Sequence, residues 1–346
     1  MAEIAQSSIS ERPRATIRAA SLRWIAGAVI LAVVLASLPS FLDVFGLSTI
    51  RDALILGIFA LSLDFLWGKA EMLSFGHATF FGIGAYGVAL VSIKSGMDPG
   101  IAPWMGLLAG IAAAAISSAL IGYFLIFGRV RGAYFTIITM ALNIIAYQVA
   151  TSWSSVTGGD SGLIGVPPLA VPGLSITFID TWLYYLVLAA SFAALLGLWL
   201  ACRGQYGRIL AAISENEMRA RCLGYNTDAH ILIVYIVSAT LAAFAGGIYV
   251  TATSFVAPDM LGLLLSTEVV LWVAVGGRGT LIGPFIGAIV VTGLQQELSS
   301  ISTSLWPLVM GGFFILMVFV IPDGILSVFR FIRGFWAHPA RDGEPS

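Results

Sequence analysis

Apolar residues run along this chain in stretches of about 17 to 25, the length at which a helix crosses the roughly 30 Å hydrocarbon layer of a bilayer. The runs lie near 24–42, 49–67, 74–93, 102–127, 132–150, 181–201, 231–253, 267–276, 280–297 and 305–321, with Arg, Lys, Asp, Glu, Gly and Pro gathered between them. The pattern predicts an all-α, polytopic transmembrane helical bundle of about 8–10 spans. The run at 267–276 is short for a full crossing, and glycines inside apolar runs predict broken or re-entrant helices.

Charge placement orients the bundle. Arg12, Arg14, Arg18 and Arg23 precede the first run. If that end is cytosolic and every span crosses, Lys69, Arg129, Arg131, Arg203, Arg208, Arg219, Arg221, Arg278, Arg330, Arg333 and Arg341 join them, which makes 15 of the 17 basic residues. Only Arg51 and Lys94 then lie outside, the asymmetry of the positive-inside rule. Both termini are predicted cytosolic. The organisation is an Arg-rich cytosolic segment over 1–23, a membrane domain over 24–329 and a cytosolic tail over 330–346. Arginines before an apolar run resemble a signal peptide, but Trp24 to Leu42 is too long for its core, and an uncleaved first helix is expected.

Two connections are long. The outer one, 151–181, contains TGGDSGLIGVPP from Thr157 to Pro168. It is turn-rich, and either a solvated connector, a short interfacial helix or a cover over a substrate entrance. The inner one, 202–230, mixes Arg203, Arg208, Glu215, Glu217, Arg219, Arg221 and Asp228 with Ile209, Leu210, Ile213, Met218 and Leu223. This is the pattern of a helix lying at the membrane surface, with Glu217 and Arg221 paired at i,i+4 and Gly224 placed to stop it.

With 59% hydrophobic and 10% charged residues, where soluble domains carry about 45–50% and about 25%, the chain is no ordinary soluble enzyme. A net charge of −1 gives no basic surplus for nucleic acid. Cys202 and Cys222 fall in the cytosolic segment and are expected to serve as small packing residues. His77, His230 and His338 are widely spaced and have no Cys or carboxylate cluster at ligand spacing, so no metal site is expected. Gly68-Lys69 is followed by Ala70, which departs from a phosphate-binding loop.

Ionisable residues at membrane depth tend to face an interior or a pathway. Asp64, in ALSLDFLWG, is either an interhelical hydrogen-bonding group or part of a substrate path. Glu268 follows Ser266 and Thr267 and is either a capping or packing carboxylate in the first helical turn, where it also suits the helix dipole, or part of a substrate path. His77 is expected among close-packed small residues rather than in a proton relay, and it is also a candidate for the substrate path. Gly106 with Gly110, and Gly283 with Gly287, have the GxxxG spacing that lets helices approach closely. Gly76, Gly276 and Gly277 are either packing residues of the same kind or points where a helix breaks and turns backbone groups toward a polar substrate.

LSLDFLWGKAEMLSFGHATFFGIGAYGVAL (61–90), GRVRGAYFTIITMAL (128–142), TGGDSGLIGVP, GRILAAISENEMRARCLG (207–224), TEVVLWVAVGGRGTLIGPFIGA (267–288) and PDGIL (322–326) stand in one order. In these blocks the chain resembles the branched-chain amino-acid type of ABC transporter permease, over nearly all of its length after residue 50. It is most similar to the second permease of the usual pair. The resemblance implies an importer of the bacterial inner membrane. In it two homologous permeases form the path, and two cytosolic ATPases consume ATP with Mg. A periplasmic or extracellular binding protein delivers substrate, and this chain binds no cofactor. It also implies that Glu215, Asn216, Glu217, Ala220 and Gly224 belong to a cytosolic loop that docks in a groove of the ATPase. Arg219 stands where the family more often has alanine.

The family's substrates are leucine, isoleucine and valine, with urea, short amides or other amino acids in close relatives. Asp64 with Trp67 is reminiscent of the urea-type subgroup. An apolar path with few fixed charges suits an aliphatic zwitterion or a small neutral amide. A different class, an ion-coupled secondary transporter, would place Asp64, Glu268 or Glu297 in a coupling site.

Overall fold

The computed structural model describes residues 35–170 and 181–301, with 308, 309, 311, 312 and 315 beyond them. The segments 1–23 and 330–346, the run at 305–321 apart from those few residues, and most of the run at 24–42 lie outside the described residues. The chain divides into a unit ending at Leu47 and a unit from Ser48 onward. In the first, Leu38–Ser40 form a 3-10 turn, with Pro39 near its start.

The helices are α1 (Val44–Ala70), α2 (His77–Lys94), α3 (Ala102–Phe127), α4 (Ala133–Ser152), α5 (Thr181–Arg203), α6 (Gln205–Glu215), α7 (Glu217–Cys222), α8 (Thr227–Thr253), α9 (Leu263–Gly276) and α10 (Gly283–Ile301). Helix dominates because a bilayer offers no partner for backbone N–H and C=O groups, which must then pair within each segment. Five of these, α1, α3, α4, α5 and α8, are long and apolar enough to cross a membrane. At 14 residues, α9 rises only about 21 Å, as its short run predicts. It stops at Gly277, whose φ of +104° no ordinary residue adopts comfortably.

Position within the bundle follows from composition around each helix. From Ala53 to Leu66 every residue of α1 but Gly57 and Asp64 to either side of the core positions is apolar or a small hydroxyl, and Ile55, Ile58, Phe59, Leu61 and Leu63 are fully buried. A helix apolar all round belongs inside. By contrast α3, α4 and α5 expose Leu108, Ile116, Phe124, Tyr134, Ile137, Ile145, Trp182 and Leu200, an outer surface suited to lipid.

Helices α2, α3 and α8 cross at glycines. A Cβ on Gly84 would come within 1.9 Å of the Ala243 carbonyl, and one on Gly246 within 1.9 Å of the Phe81 carbonyl. Gly106 and Gly110 of the first GxxxG pair lie against Val88 and Gly84, and Gly283 and Gly287 of the second against Gly276 and Trp272. Both spacings therefore act in close helix packing.

Several boundaries differ from the apolar pattern. In the inner connection the expected single surface helix is two, because Asn216 (φ −161°, ψ 100°) is extended and its side chain accepts from the N–H of Arg219, starting α7 afresh. Helix α8 begins at Thr227 rather than near 231, with Asn226 capping Ala229. The outer connection holds a single turn at Ser154–Thr157, a 3-10 turn at Gly159–Ser161, and β1 (Leu163–Ile164), antiparallel to β2 (Phe255–Val256). Its residues 171–180 are outside the described ones. Arg51, placed outside by charge counting, is nine-tenths buried and paired with Asp52 at 2.9 Å.

Candidate functional site

Within the bundle the sequence-selected residues divide into two groups. Asp64 lies near the C-terminal end of α1, and both of its carboxylate oxygens are taken by the loop between α9 and α10. Oδ1 accepts from the N–H of Gly279 and Oδ2 from that of Leu281, the latter at 3.1 Å. Lys69 Nζ donates to the Gly279 carbonyl at 3.2 Å, and the Arg278 guanidinium donates to the Trp67 carbonyl at 3.0 Å while covering the Trp67 ring. Gly277, Gly279 and Leu281 all have positive φ. The carboxylate thus holds a turn strained at Leu281, a hydrogen-bonding role between α1 and the α9–α10 loop.

His77, the first residue of α2, is fully buried and stacked on Phe59 at 5.6 Å. Its Nε2 lies 2.8 Å from Ser62 Oγ and 3.4 Å from Ser238 Oγ. Both serine hydroxyls donate to carbonyls, those of Phe59 and Ser62. We therefore assign the imidazole proton to Nε2, donating to Ser62. Gly76 lies against α4, since its Cβ would meet the Thr139 carbonyl at 2.5 Å. Around it Thr136 Oγ1 donates to the Leu73 carbonyl and Thr79 Oγ1 to Asn143 Oδ1. Gly276 is pressed against the Gly283 carbonyl, and Gly277 caps α9.

Glu268 is a correction. The Ser266-Thr267 pair reads as a cap, but Gly262 is the N-cap and α9 starts at Leu263. Glu268 is then the sixth residue, beyond the first turn where a carboxylate suits the dipole. Ser266 instead accepts from the N–H of Ala78 at 3.1 Å, joining α9 to α2.

The second group stands on α6 and α7. Leu210 and Ile213 are buried on one side of α6, whose opposite side carries charge. Glu215 ends α6, exposed, and Asn216 is the exposed cap of α7. Gly224 closes α7 with φ +89°. Ala220 is buried, its carbonyl accepting from Tyr225, so it faces the protein. Met218 and Leu223 are 69% and 75% exposed.

Glu217 does more than pair with Arg221. Its Oε1 accepts from Arg221 Nη2 at 2.8 Å, Arg131 Nη2 at 3.3 Å and Thr227 Oγ1 at 3.2 Å. Asp228 Oδ1 accepts from both arginines at 2.7 Å. Burial pushes the Glu217 carboxyl up, but the Arg131 and Arg221 hydrogen bonds and charges outweigh this and hold it below the ordinary glutamate range. Arg131, Thr227 and Asp228 had no site role in the sequence reading. Arg131 and Glu217 are 86 residues apart, and no local spacing announces such a pairing. A shallow hollow beside the network is lined by Arg221, Gly224, Tyr225, Asn226, Thr227 and Asp228.

The family model described as the permease component of the branched-chain amino acid transport system matches residues 45–321, which takes in α2 through α10 and almost all of α1. Among similar proteins, the high-affinity branched-chain amino acid transport system permease protein LivM of Escherichia coli K12 is 28% identical over 296 residues. These cover 79% of this chain and 68% of that protein. LivH of the same strain and transport system is 27% identical over 287 residues, covering 78% of this chain and 90% of LivH. LsrC of Enterobacter sp. strain 638, an autoinducer 2 import system permease, is 26% identical over 226 residues, covering 64% and 63%. A match of that extent over a largely helical bundle settles the assignment: the chain belongs to the family of branched-chain amino acid transport system permease components, the non-catalytic membrane subunits of ABC importers.

Proposed function

We propose that this permease imports branched-chain or other hydrophobic amino acids across the bacterial inner membrane, with both termini in the cytosol. A homologous permease completes the path, and a periplasmic or extracellular binding protein delivers the substrate. Two cytosolic ATPases hydrolyse ATP with Mg and drive it. The observation that carries this reading is the α6–α7 pair. It is a short amphipathic element anchored by buried Leu210, Ile213 and Ala220, and it presents Met218, Arg219 and Leu223 outward. A rigid, partly apolar projection of this kind suits a groove on a partner protein. Glu215, Asn216 and Gly224 fix its ends, and Glu217 braces it from within.

The substrate class rests on LivM and LivH, whose names specify branched-chain amino acids. Asp64 and Trp67, the pair reminiscent of the urea subgroup, are engaged with the loop at 277–281. That engagement gives Asp64 a structural task, which supports the amino-acid reading over a urea or short-amide substrate and over Asp64 as the coupling site of an ion-driven transporter. Uptake of labelled leucine and labelled urea, in cells with and without the permease, tests the proposal. Loss of leucine uptake on deletion supports it. Loss of urea uptake alone assigns the amide class and overturns it.

A further inference from the structure

The reading above leaves Arg131 and Asp228, the partly buried partners of Glu217, without a task. Arg131 lies in the short turn between α3 and α4, and Arg221 is in the last turn of α7. Glu217 opens α7, and Asp228 is the second residue of α8. Two arginines and two carboxylates form a closed ring in which Glu217 Oε1 and Asp228 Oδ1 each accept from both guanidinium groups. Arg131 also reaches Glu217 Oε2 through Nε, at 3.4 Å. The ring is electrically neutral, and its side chains are 16–32% exposed, so salt screens it less than a surface pair.

The turn that carries Arg131 is itself fixed. Arg129 and Gly132 have φ of +57° and +58°, and the N–H groups of Arg129 and Val130 donate back to the Ile126 and Leu125 carbonyls of α3. Helix α4 begins at the residue after Gly132. Its inward stripe, Thr136, Thr139 and Asn143, lies against Leu73, Gly76 and Thr79, where α2 starts. A displacement of α7 therefore reaches the root of α4 through the Arg131 side chain, the root of α8 through Asp228, and from α4 the break between α1 and α2.

We propose that Arg131 is a positioning residue for energy coupling: it clamps α7 to the roots of α4 and α8, so that a push delivered at the cytosolic face moves both spans together. This rests on the reading that α6–α7 docks the ATPase. The guanidinium matters because Nη2 donates to both carboxylates while Nε reaches Glu217 Oε2 and Nη1 reaches the Ile126 carbonyl, a fork of donors that the single nitrogen of a lysine does not reproduce.

The test uses the assembled transporter, with both permeases, ATPases and binding protein, in proteoliposomes. It follows whichever of leucine or urea the wild type carries. In Arg131→Gln the ATPases remain bound and hydrolyse ATP, while uptake per ATP falls about tenfold. Arg131→Lys falls between the two. Glu217→Gln lowers uptake per ATP alone but adds little in the Arg131→Gln background, since the two share one interaction. Unchanged uptake per ATP in Arg131→Gln overturns the proposal, as does release of the ATPases by that change. If the Gln variant fails to insert, wild-type uptake per ATP in Arg131→Lys overturns it. The docking reading fails separately: Met218→Glu with Leu223→Glu releases the ATPases if that reading is right, and retained ATPases with normal uptake refute it.

Discussion

Replacing Asp64 separates a structural carboxylate from a transport carboxylate. Its two oxygens accept from the backbone N–H groups of Gly279 and Leu281, and hydrogen bonds to charged groups contribute about 1.5–3 kcal/mol each. Asparagine keeps one acceptor but turns an amide N–H₂ toward the other donor, so Asp64→Asn loses one bond and opposes two donors, a cost of about 2–4 kcal/mol. Asp64→Ala strips both donors, and relief from burying a carboxylate offsets only part, for about 3–5 kcal/mol. The turn it holds contains Leu281 at φ +62°, and that strain is released when the acceptor goes. With 346 residues and an unfolding entropy of about 0.7 kcal/mol/K, the midpoint of thermal unfolding in detergent drops by roughly 3–5 °C in Asp64→Asn and roughly 4–7 °C in Asp64→Ala. The assay pairs that midpoint with uptake normalised to folded protein in the membrane. Uptake per folded permease stays within about twofold of wild type in Asp64→Asn, since a factor of two is under 0.5 kcal/mol. An unchanged midpoint with abolished uptake refutes the reasoning and returns Asp64 to the transport path.

Other expectations follow from packing and charge. Gly84→Leu and Gly246→Val force a side chain into carbonyls 1.9 Å from the Cβ position; each costs about 3 kcal/mol or more, read as loss of folded protein in the membrane, and normal accumulation of either variant contradicts the helix crossing. Glu217 has a folded-state pKa below its ordinary value. Its contribution to stability is therefore complete above the unfolded glutamate value and lost as pH falls through the lowered one. With a third of the side chain exposed, this amounts to about 1 kcal/mol or less after solvent screening. Thermal midpoints of wild type and Glu217→Gln converge in that acidic window, and a gap that widens there refutes the assignment. ATP-driven uptake in proteoliposomes persists when a protonophore collapses the proton gradient, and its loss favours an ion-coupled mechanism.

Much of the bundle is legible in hydropathy because the bilayer enforces it. The run 102–127 coincides with α3, bounded by Pro103 at its start and Gly128 at its cap, both signals a sequence carries openly. The run 267–276 is recognisably too short, and α9 is indeed a 14-residue helix. Errors gather where polar residues begin a helix. Thr227 and Asp228 open α8 behind the Asn226 cap, yet an apolar scan passes over them. Asn216 carried a readable cap signal of the same kind. Ser266 and Thr267 misled in the opposite direction, because a serine that serves a neighbouring helix resembles one that caps its own.

The candidate site was legible as a segment and not as a mechanism, for a physical reason. Local patterns report what a residue does within one turn of its own helix, such as the Glu217–Arg221 pair at i,i+4. Arg131 and Asp228 convert that pair into a ring only because the chain returns to the same end of the bundle after α4, the connection at 153–180 and α5. The outward positions of α7 are therefore the ones that charge alone did not select. Met218 and Leu223 remain exposed while Glu217 and Arg221 beside them are paired toward the protein. Desolvating an apolar pair on a braced helix is favourable, whereas pulling Glu217 outward would strand two partly buried arginines. Under the proposed docking of α6–α7, the face offered to the ATPase is apolar with Arg219 at its side, and the charges set its position rather than its affinity.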